Sequence, residues 1–394
     1  MIRVLDATLR EGEQTPGVYF DGHIKLAIAD LLDAVGVDVI EAGHPLVGEE
    51  IKQAVTRVAQ RNLNALVGAH ARSVKKDVDL ALECGVDFLG IFYCVSDERL
   101  SGVAKKDLAT AIDRIVEVID YAKSRNPSMT IRYTPEDTVR SKFENVVEAA
   151  RAATEAGANV ISVADTTGYM IPGTDRNMHD FVSRLKDALA DLDNPPAIAA
   201  HCHNDRGLAL ANALDAYRGG AEILDATVLG LGERAGLVDL AQLLVALKVD
   251  FGVENEWNMS KLEELYRLVA RHAKTPIPHN FPIMGENAFT HCAGVHTHAA
   301  TVDPLHYQSL DPAIVGRRME ISLDHMSGVA SLRYALDLVG LKDLRDDVVR
   351  ETLERVKELG SKGRRVHPDE LPYIVDWVRS HPGETIDQTA TEGA

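Results

Sequence analysis

The chain has 394 residues, 45% of them hydrophobic, with 42 Lys and Arg against 60 Asp and Glu and a formal charge of -18. That length accommodates one full-sized barrel plus an accessory region. The acidic balance argues against the broad polyanion-binding face of a nucleic-acid binder, while leaving room for a locally basic pocket. No apolar run approaches the ~20 residues of a membrane span, and the amino terminus enters directly into Ile2-Arg3-Val4-Leu5 without a charged leader, so a cytoplasmic protein is expected. Cys84, Cys94, Cys202 and Cys292 are widely spaced and form no CxxC, which points to reduced thiols and away from a thiolate zinc site.

Short β-branched runs beginning near Ile2, Val37, Leu63, Val86, Met129, Val160, Ala197 and Ile223 are each followed by a stretch with helical periodicity. Leu108, Ile112, Ile115 and Ile119 repeat at helical spacing after the fourth run, and Met178, Val182, Leu185 and Leu189 do so after the sixth. Eight strand-then-helix units spanning about 250 residues predict a closed (β/α)₈ (TIM) barrel rather than a doubly wound sheet. The alternation stops near Asn255. The expected domains are therefore a barrel over 1–255 and a small, mostly helical carboxyl-terminal region over 256–394. In the latter, helices are expected at Ser260 to Lys274, Ser331 to Val339 and Asp346 to Leu359, with a polar, disordered tail from about His381.

Active sites of such barrels lie at the carboxyl ends of the strands. Strand one ends in Asp6-Ala7-Thr8-Leu9-Arg10-Glu11-Gly12-Glu13-Gln14, strand three at His70, strand five carries Arg132, Thr134 and Glu136, and strand six ends Asp165-Thr166-Thr167-Gly168. Strand seven ends His201-Cys202-His203-Asn204-Asp205. Alternation turns His201 and His203 into the barrel mouth and Cys202 toward the helices. Two imidazoles with a carboxylate, for which Glu11 is the candidate, make a set suited to Zn²⁺, Mn²⁺ or Mg²⁺. Arg132 and Thr134 share one inward face. A guanidinium there is either neutralised by an internal carboxylate, such as Glu136, or kept for an anionic substrate, and the second reading is preferred. His70 fits either a satisfied core histidine or a ligand-binding one. The loop Gly230-Leu231-Gly232-Glu233-Arg234-Ala235-Gly236 offers backbone N–H groups but lacks the Gly-Lys-Ser/Thr of a nucleotide P-loop.

Four ordered motifs then carry a resemblance over nearly the whole chain: Thr8 to Gln14, His201 to Asp205, Gly230 to Arg234, and Gly285-Glu286-Asn287-Ala288-Phe289-Thr290-His291-Cys292-Ala293-Gly294-Val295-His296. In these the chain resembles the acetyl-CoA-dependent synthases of the metallolyase barrel group, which include homocitrate, isopropylmalate and citramalate synthases, and it looks most like the homocitrate type. The resemblance implies that Glu11, His201 and His203 bind a divalent metal and that Arg10 polarises the 2-oxo carbonyl. It implies that His296 and Tyr307 assist proton transfer at the acetyl group, with Glu136 in the same catalytic set. It further implies that Gln14, His70, Arg132, Thr134 and Thr166 join Arg10 in holding the 2-oxo acid, and that the protein is a homodimer whose small region lies over the neighbouring barrel.

Lysine-pathway homocitrate synthases use a histidine and an arginine at the positions matching His70 and Arg132, so the resemblance implies 2-oxoglutarate first, ahead of oxaloacetate, phosphonopyruvate and branched 2-oxo acids. Gly90 departs from the family, whose lysine-pathway members commonly carry an acidic residue there, which puts pocket depth in question. A long leucine-sensing domain is not expected. Two rival readings are a carbon–carbon lyase on a similar metal barrel and a silent barrel serving as a scaffold. The region carrying His296 and Tyr307 speaks against the lyase, and the joint presence of Arg10, Glu11, His201 and His203 against the scaffold.

Overall fold

A computed structural model describes residues 2–292 and 304–381. The chain divides into two compact units, Met1–Ile277 and Pro278–Ala394. In the first, eight parallel strands close into a barrel in sequence order: β1 (Arg3–Asp6), β2 (Val39–Glu41), β3 (Leu66–Arg72), β4 (Phe88–Cys94), β5 (Thr130–Glu136), β6 (Val160–Asp165), β7 (Ala197–Cys202) and β8 (Ile223–Ala226). β8 returns to β1 with Leu5 opposite Asp225, so every strand has two neighbours and no edge is left for another chain to pair with.

The helices form where their apolar stripes predict. They are α1 (Gly22–Val35), α2 (Glu49–Ala59), α3 (Lys75–Cys84), α4 (Leu108–Arg125), α5 (Phe143–Glu155), α6 (Met178–Leu189), α7 (Ala209–Arg218) and α8 (Leu240–Val245). In α6 the expected stripe Met178, Val182, Leu185 and Leu189 is the buried face, and Asn177 caps the helix by accepting from the Asp180 amide. In α4 the buried face is Ala111, Ile115, Val118, Ile119 and Ala122, turned slightly from the expected one, because the small Ala111 and Ala122 allow close approach where Leu108 and Ile112 stay half exposed.

Strand parity then builds the interior in layers. An apolar cluster takes Leu5, Val39, Phe88, Val160, Ala199 and Ile223 from six strands. Two residues further along the same inward faces come Glu41, Gly90, Ser162, His201 and Asp225, so a polar layer sits directly on the apolar one, toward the carboxyl ends. The four cysteines are free thiols.

The boundary expected at 255 moves to Ile277. Helix α9 (Leu262–Ala273) buries Leu262, Leu265, Tyr266 and Val269, and its Tyr266 hydroxyl donates to Asp239 at 2.7 Å and accepts from the Ala241 amide at 2.7 Å. Asp239 caps α8 as well, so α9 is held by the barrel's last helix and belongs with it.

The second unit pairs β9 (Thr290–His291) with β10 (Glu320–Ile321) and packs α10 (Val329–Leu338), α11 (Asp346–Ser361) and α12 (Leu371–Ser380) around Leu323, Leu332, Val349, Val356, Leu371 and Val375. Helix α12 is not among the helices expected from the sequence; Pro372 falls in its first turn, where its missing N–H removes no helical bond. The expected tail from 381 lies, beyond His381 itself, outside the described residues. Among the described residues no helix is long and apolar enough to cross a membrane.

Candidate active site

A cavity of about 210 Å³ opens at the carboxyl ends of the barrel strands. Its walls include Arg10, Glu11, Gln14, His70, Arg132, Thr134, Glu136, Thr166, His201 and His203, which is every barrel residue expected to act. His44, Phe92 and Ala164, which sequence reasoning did not single out, line it too, as does Glu233 of the glycine-rich loop. Tyr307 belongs to the second unit, and His296 lies outside the described residues.

The loop after β1 is fixed before any ligand arrives. Lys25 of α1 is fully buried, and its ammonium donates to the carbonyls of Leu9 (2.5 Å) and Ala42 (3.0 Å) and to Glu13 (2.7 Å), tying the ends of β1 and β2 together. The loop after β8 closes on the same segment. Thr15 and Gly232 exchange two hydrogen bonds, of 2.8 and 3.0 Å, and the Glu233 amide donates to Glu11 at 3.3 Å. Gly236, at φ +79, allows this turn because a Cβ would stand 1.7 Å from the Gly230 carbonyl oxygen. The glycine-rich loop is thus a buttress for Glu11.

Arg10 spans two carboxylates: NH1 donates to Glu11, and Nε donates to Glu41 at 2.5 Å. The Gln14 amide, oriented with its nitrogen toward Glu11, also reaches both carboxylate oxygens at 2.8 and 2.9 Å. Glu41 is fully buried and accepts from His70 Nδ1 at 3.0 Å. Burial works to raise the Glu41 pKa, but Arg10 and His70 outweigh it and hold the carboxyl well below its usual range. His70 is pushed down to about 4, by burial first and by Arg10 second, so it is a neutral imidazole stacked on Phe92 with ring centroids 4.9 Å apart. A Cβ at Gly90 would stand 3.1 Å from His70 Nδ1 and 3.2 Å from Glu41 Oε1. The absence of a side chain at 90 therefore does not deepen the pocket, because Glu41 and His70 fill that space.

His201 and His203 face one another through their Nε2 atoms, 3.3 Å apart. Two nitrogens at about 2.0–2.1 Å from one tetrahedral ion would be separated by roughly that much. Burial first, then His201, lowers the His203 pKa to about 3, leaving a neutral imidazole with a lone pair to give. Burial would raise the Glu11 carboxyl, but the Arg10 guanidinium beside it outweighs this and holds it below its ordinary pKa. Among the described residues no three His, Cys, Asp or Glu side chains are grouped so as to hold a metal ion, and the Glu11 oxygens are taken up by Arg10 and Gln14. The donor chemistry still fits a divalent cation. Three buried, ionised carboxylates, Glu11, Glu41 and Asp225, face two guanidiniums, Arg10 and Arg132, and a further positive charge would balance them.

The expectation that Arg132 is kept free for substrate, with Glu136 as its alternative partner, needs correction. NH1 and NH2 of Arg132 donate to the two oxygens of Asp225 at 2.9 and 2.7 Å, and NH2 also donates to Ser162 at 2.5 Å. Glu136 instead accepts from Arg99 at 2.5 Å. Four residues along a strand amount to about 13 Å, too far for Glu136 to serve Arg132, whereas Asp225 occupies the same interior layer. What remains unsatisfied is Arg132 Nε, a buried donor without a partner on a residue that lines the cavity. Glu41 and Asp225 were both missed. The available signal was an acid at an inward position of an otherwise apolar strand, in Val39-Ile40-Glu41 and Ile223-Leu224-Asp225.

Fold and site together define a polar-mouthed (β/α)₈ barrel enzyme. Residues 1–269 match the HMGL-like family, and residues 283–364 match the homocitrate synthase post-HMGL domain. A homocitrate synthase of Pyrococcus horikoshii is 41% identical over 90% of this chain and 94% of its own length. Homocitrate synthase AksA of Methanopyrus kandleri is 38% identical over 98% and 94%. A 2-isopropylmalate synthase of Methanocaldococcus jannaschii is 37% identical over 96% of this chain and 71% of its own length. Among solved structures, the HMG-CoA lyase of Bacillus subtilis superposes with a TM-score of 0.59 at 22% identity, covering 70% of this chain and 95% of the lyase, and speaks for the fold alone. The chain belongs to the HMGL-like family, in the branch that carries the homocitrate synthase post-HMGL domain.

Proposed function

We propose that this enzyme condenses acetyl-CoA with 2-oxoglutarate to give homocitrate and free CoA. The observation that carries the substrate choice is how the cavity divides by strand. Glu11, His201 and His203 come from β1 and β7, while His70, Arg132, Thr134 and Thr166 come from β3, β5 and β6. The first arc is suited to the 2-oxo carboxylate end, and the second offers the hydroxyls of Thr134 and Thr166 and the unpartnered Arg132 Nε–H to a second carboxylate.

In this reading Glu11, His201 and His203 would hold a divalent metal, which when bound supplies Lewis acidity to the 2-oxo carbonyl. Arg10, anchored by Glu41, presents fixed positive charge to the oxygen that gains electrons as the carbon–carbon bond forms. His296 and Tyr307 take the methyl proton of acetyl-CoA, the resulting carbon bonds to the oxo carbon, and water cleaves the thioester to release the thiol. Glu136, half exposed at the cavity wall and paired with Arg99, is positioned to take part in proton movement at the mouth. The protein acts in the cytoplasm as a homodimer on small molecules.

A branched apolar substrate is the second reading, favoured by Phe92 and Ala164 in the same wall. Thiol release from acetyl-CoA across a panel of 2-oxo acids, including oxaloacetate and phosphonopyruvate, with product masses, decides between them. Homocitrate from 2-oxoglutarate at the highest kcat/KM is expected; a preference for 2-oxoisovalerate would overturn the choice of substrate.

A further inference from the structure

Asp225 is fully buried on β8 and touches two parts of the site at once. Its Oδ2 lies 2.8 Å from His201 Nδ1, and its two oxygens accept from NH1 and NH2 of Arg132. An ionised carboxylate can only accept, so His201 carries its proton on Nδ1 and presents the Nε2 lone pair toward His203. His203 has no such support: its Nδ1 is buried without a partner. The two imidazoles are therefore unequal. One is aimed by a charged acceptor from a neighbouring strand, the other only by packing.

From this geometry we infer that Asp225 is a positioning residue that fixes the tautomer and direction of His201 as a metal ligand and couples that ligand to Arg132 on β5, two strands away. The inference rests on the metal reading of His201 and His203 given above. A carboxylate behind a ligating imidazole both orients the ring and raises its basicity, and its loss typically costs about 10–100-fold in metal affinity. Asp225 also grips Arg132 end-on. That leaves Nε–H as the buried guanidinium donor without a protein partner, so the carboxylate that aims the metal ligand also determines which face of Arg132 the substrate would meet.

A plain structural role makes a different prediction. If Asp225 serves only to neutralise Arg132, removing both charges together should restore metal binding; if it aims His201, removing Arg132 as well should not help. The experiment is titration of the full-length, metal-free protein with Mn²⁺ in competition with a chelator, for wild type, Asp225→Asn, Asp225→Asn/Arg132→Met and His201→Ala. Thermal unfolding runs in parallel to confirm that each variant is folded. The double variant removes both members of the Arg132–Asp225 pair and strands neither, so it remains informative where Asp225→Asn alone fails to fold. We expect Mn²⁺ affinity to fall at least tenfold in Asp225→Asn and to remain that low in the double variant. A folded double variant with wild-type affinity overturns the role of Asp225. Unchanged affinity in His201→Ala shows instead that the two-imidazole site is wrong, and takes this inference with it.

Discussion

His201 and His203 hold their Nε2 atoms 3.3 Å apart at the end of β7, and the His203 ring stays neutral down to a pKa of about 3. Two imidazoles at that separation are prepared for a cation. We predict that His203→Ala loses the bound divalent metal and the acetyl-CoA-dependent thiol release together, while the barrel keeps its far-ultraviolet signal and cooperative unfolding. Elemental analysis beside activity checks this; a variant with stoichiometric metal and normal turnover would exclude His203 as a ligand.

Lys25 supplies a second prediction because its burial is complete and its partners are all local to the site. Replacing it with Met leaves Glu13 and the carbonyls of Leu9 and Ala42 without their shared donor. Breaking one side of a buried pair costs about 3–5 kcal/mol. Urea unfolding of Lys25→Met should show a loss of that size. In the folded fraction the loop carrying Arg10 and Glu11 should be loosened, with kcat reduced as well.

The Asp239 and Tyr266 pair makes stability depend on pH. Burial raises Asp239 to about 6, although the Gln242 amide and Tyr266 pull it down. Between the ordinary aspartate pKa near 3.8 and about 6 the folded protein holds a proton here that the unfolded chain releases, so this group's contribution to stability falls as pH rises through that window. Asp239→Asn should flatten the decline between pH 4 and 6. Tyr266→Phe should extend it upward by removing a donor to the carboxylate. Unfolding free energies from pH 3.5 to 8 read both effects, and an unchanged slope in Asp239→Asn would place the titration elsewhere.

The barrel is legible in the sequence because each unit states the same pattern locally: a β-branched run, a turn and an amphipathic helix. The strand-end residues follow from parity, which is why His70, Arg132, Thr134, His201 and His203 reach one cavity. Parity says which way a side chain points, not what it meets across the barrel. Arg132 points inward as expected, yet its partner is 93 positions away on a strand whose place is set only when β8 closes on β1. Glu41 escaped notice for the same reason, since its contacts with Arg10 and His70 form only in the closed barrel. The boundary near 277 was hidden too, because α9 is attached through Tyr266 and Asp239 rather than through any strand.

For His296, proposed for proton transfer and not for holding the oxo acid, substitution by Ala should lower kcat by at least ~100-fold while direct titration with 2-oxoglutarate is little changed. Comparable losses in both would move His296 into the oxo-acid site.

Thr134 offers the cleanest test of the proposed second carboxylate. Arg132→Leu cannot serve, because it would strand Asp225 inside the barrel and depress activity on every substrate. Thr166 is compromised too, since its hydroxyl accepts from the Asp137 amide. The Thr134 hydroxyl lines the cavity on the same face as Arg132 and makes no hydrogen bond among the described residues. Valine keeps its shape and removes only the donor. A hydrogen bond to a charged group contributes about 1.5–3 kcal/mol, roughly 10–150-fold in kcat/KM. Thr134→Val should therefore lose at least tenfold in kcat/KM on 2-oxoglutarate. On 2-oxoisovalerate, whose tail has no carboxylate, kcat/KM should hold steady or rise. Equal losses on the two substrates would mean that β5 does not read the tail, and the case for 2-oxoglutarate would then rest on resemblance to the homocitrate synthases alone.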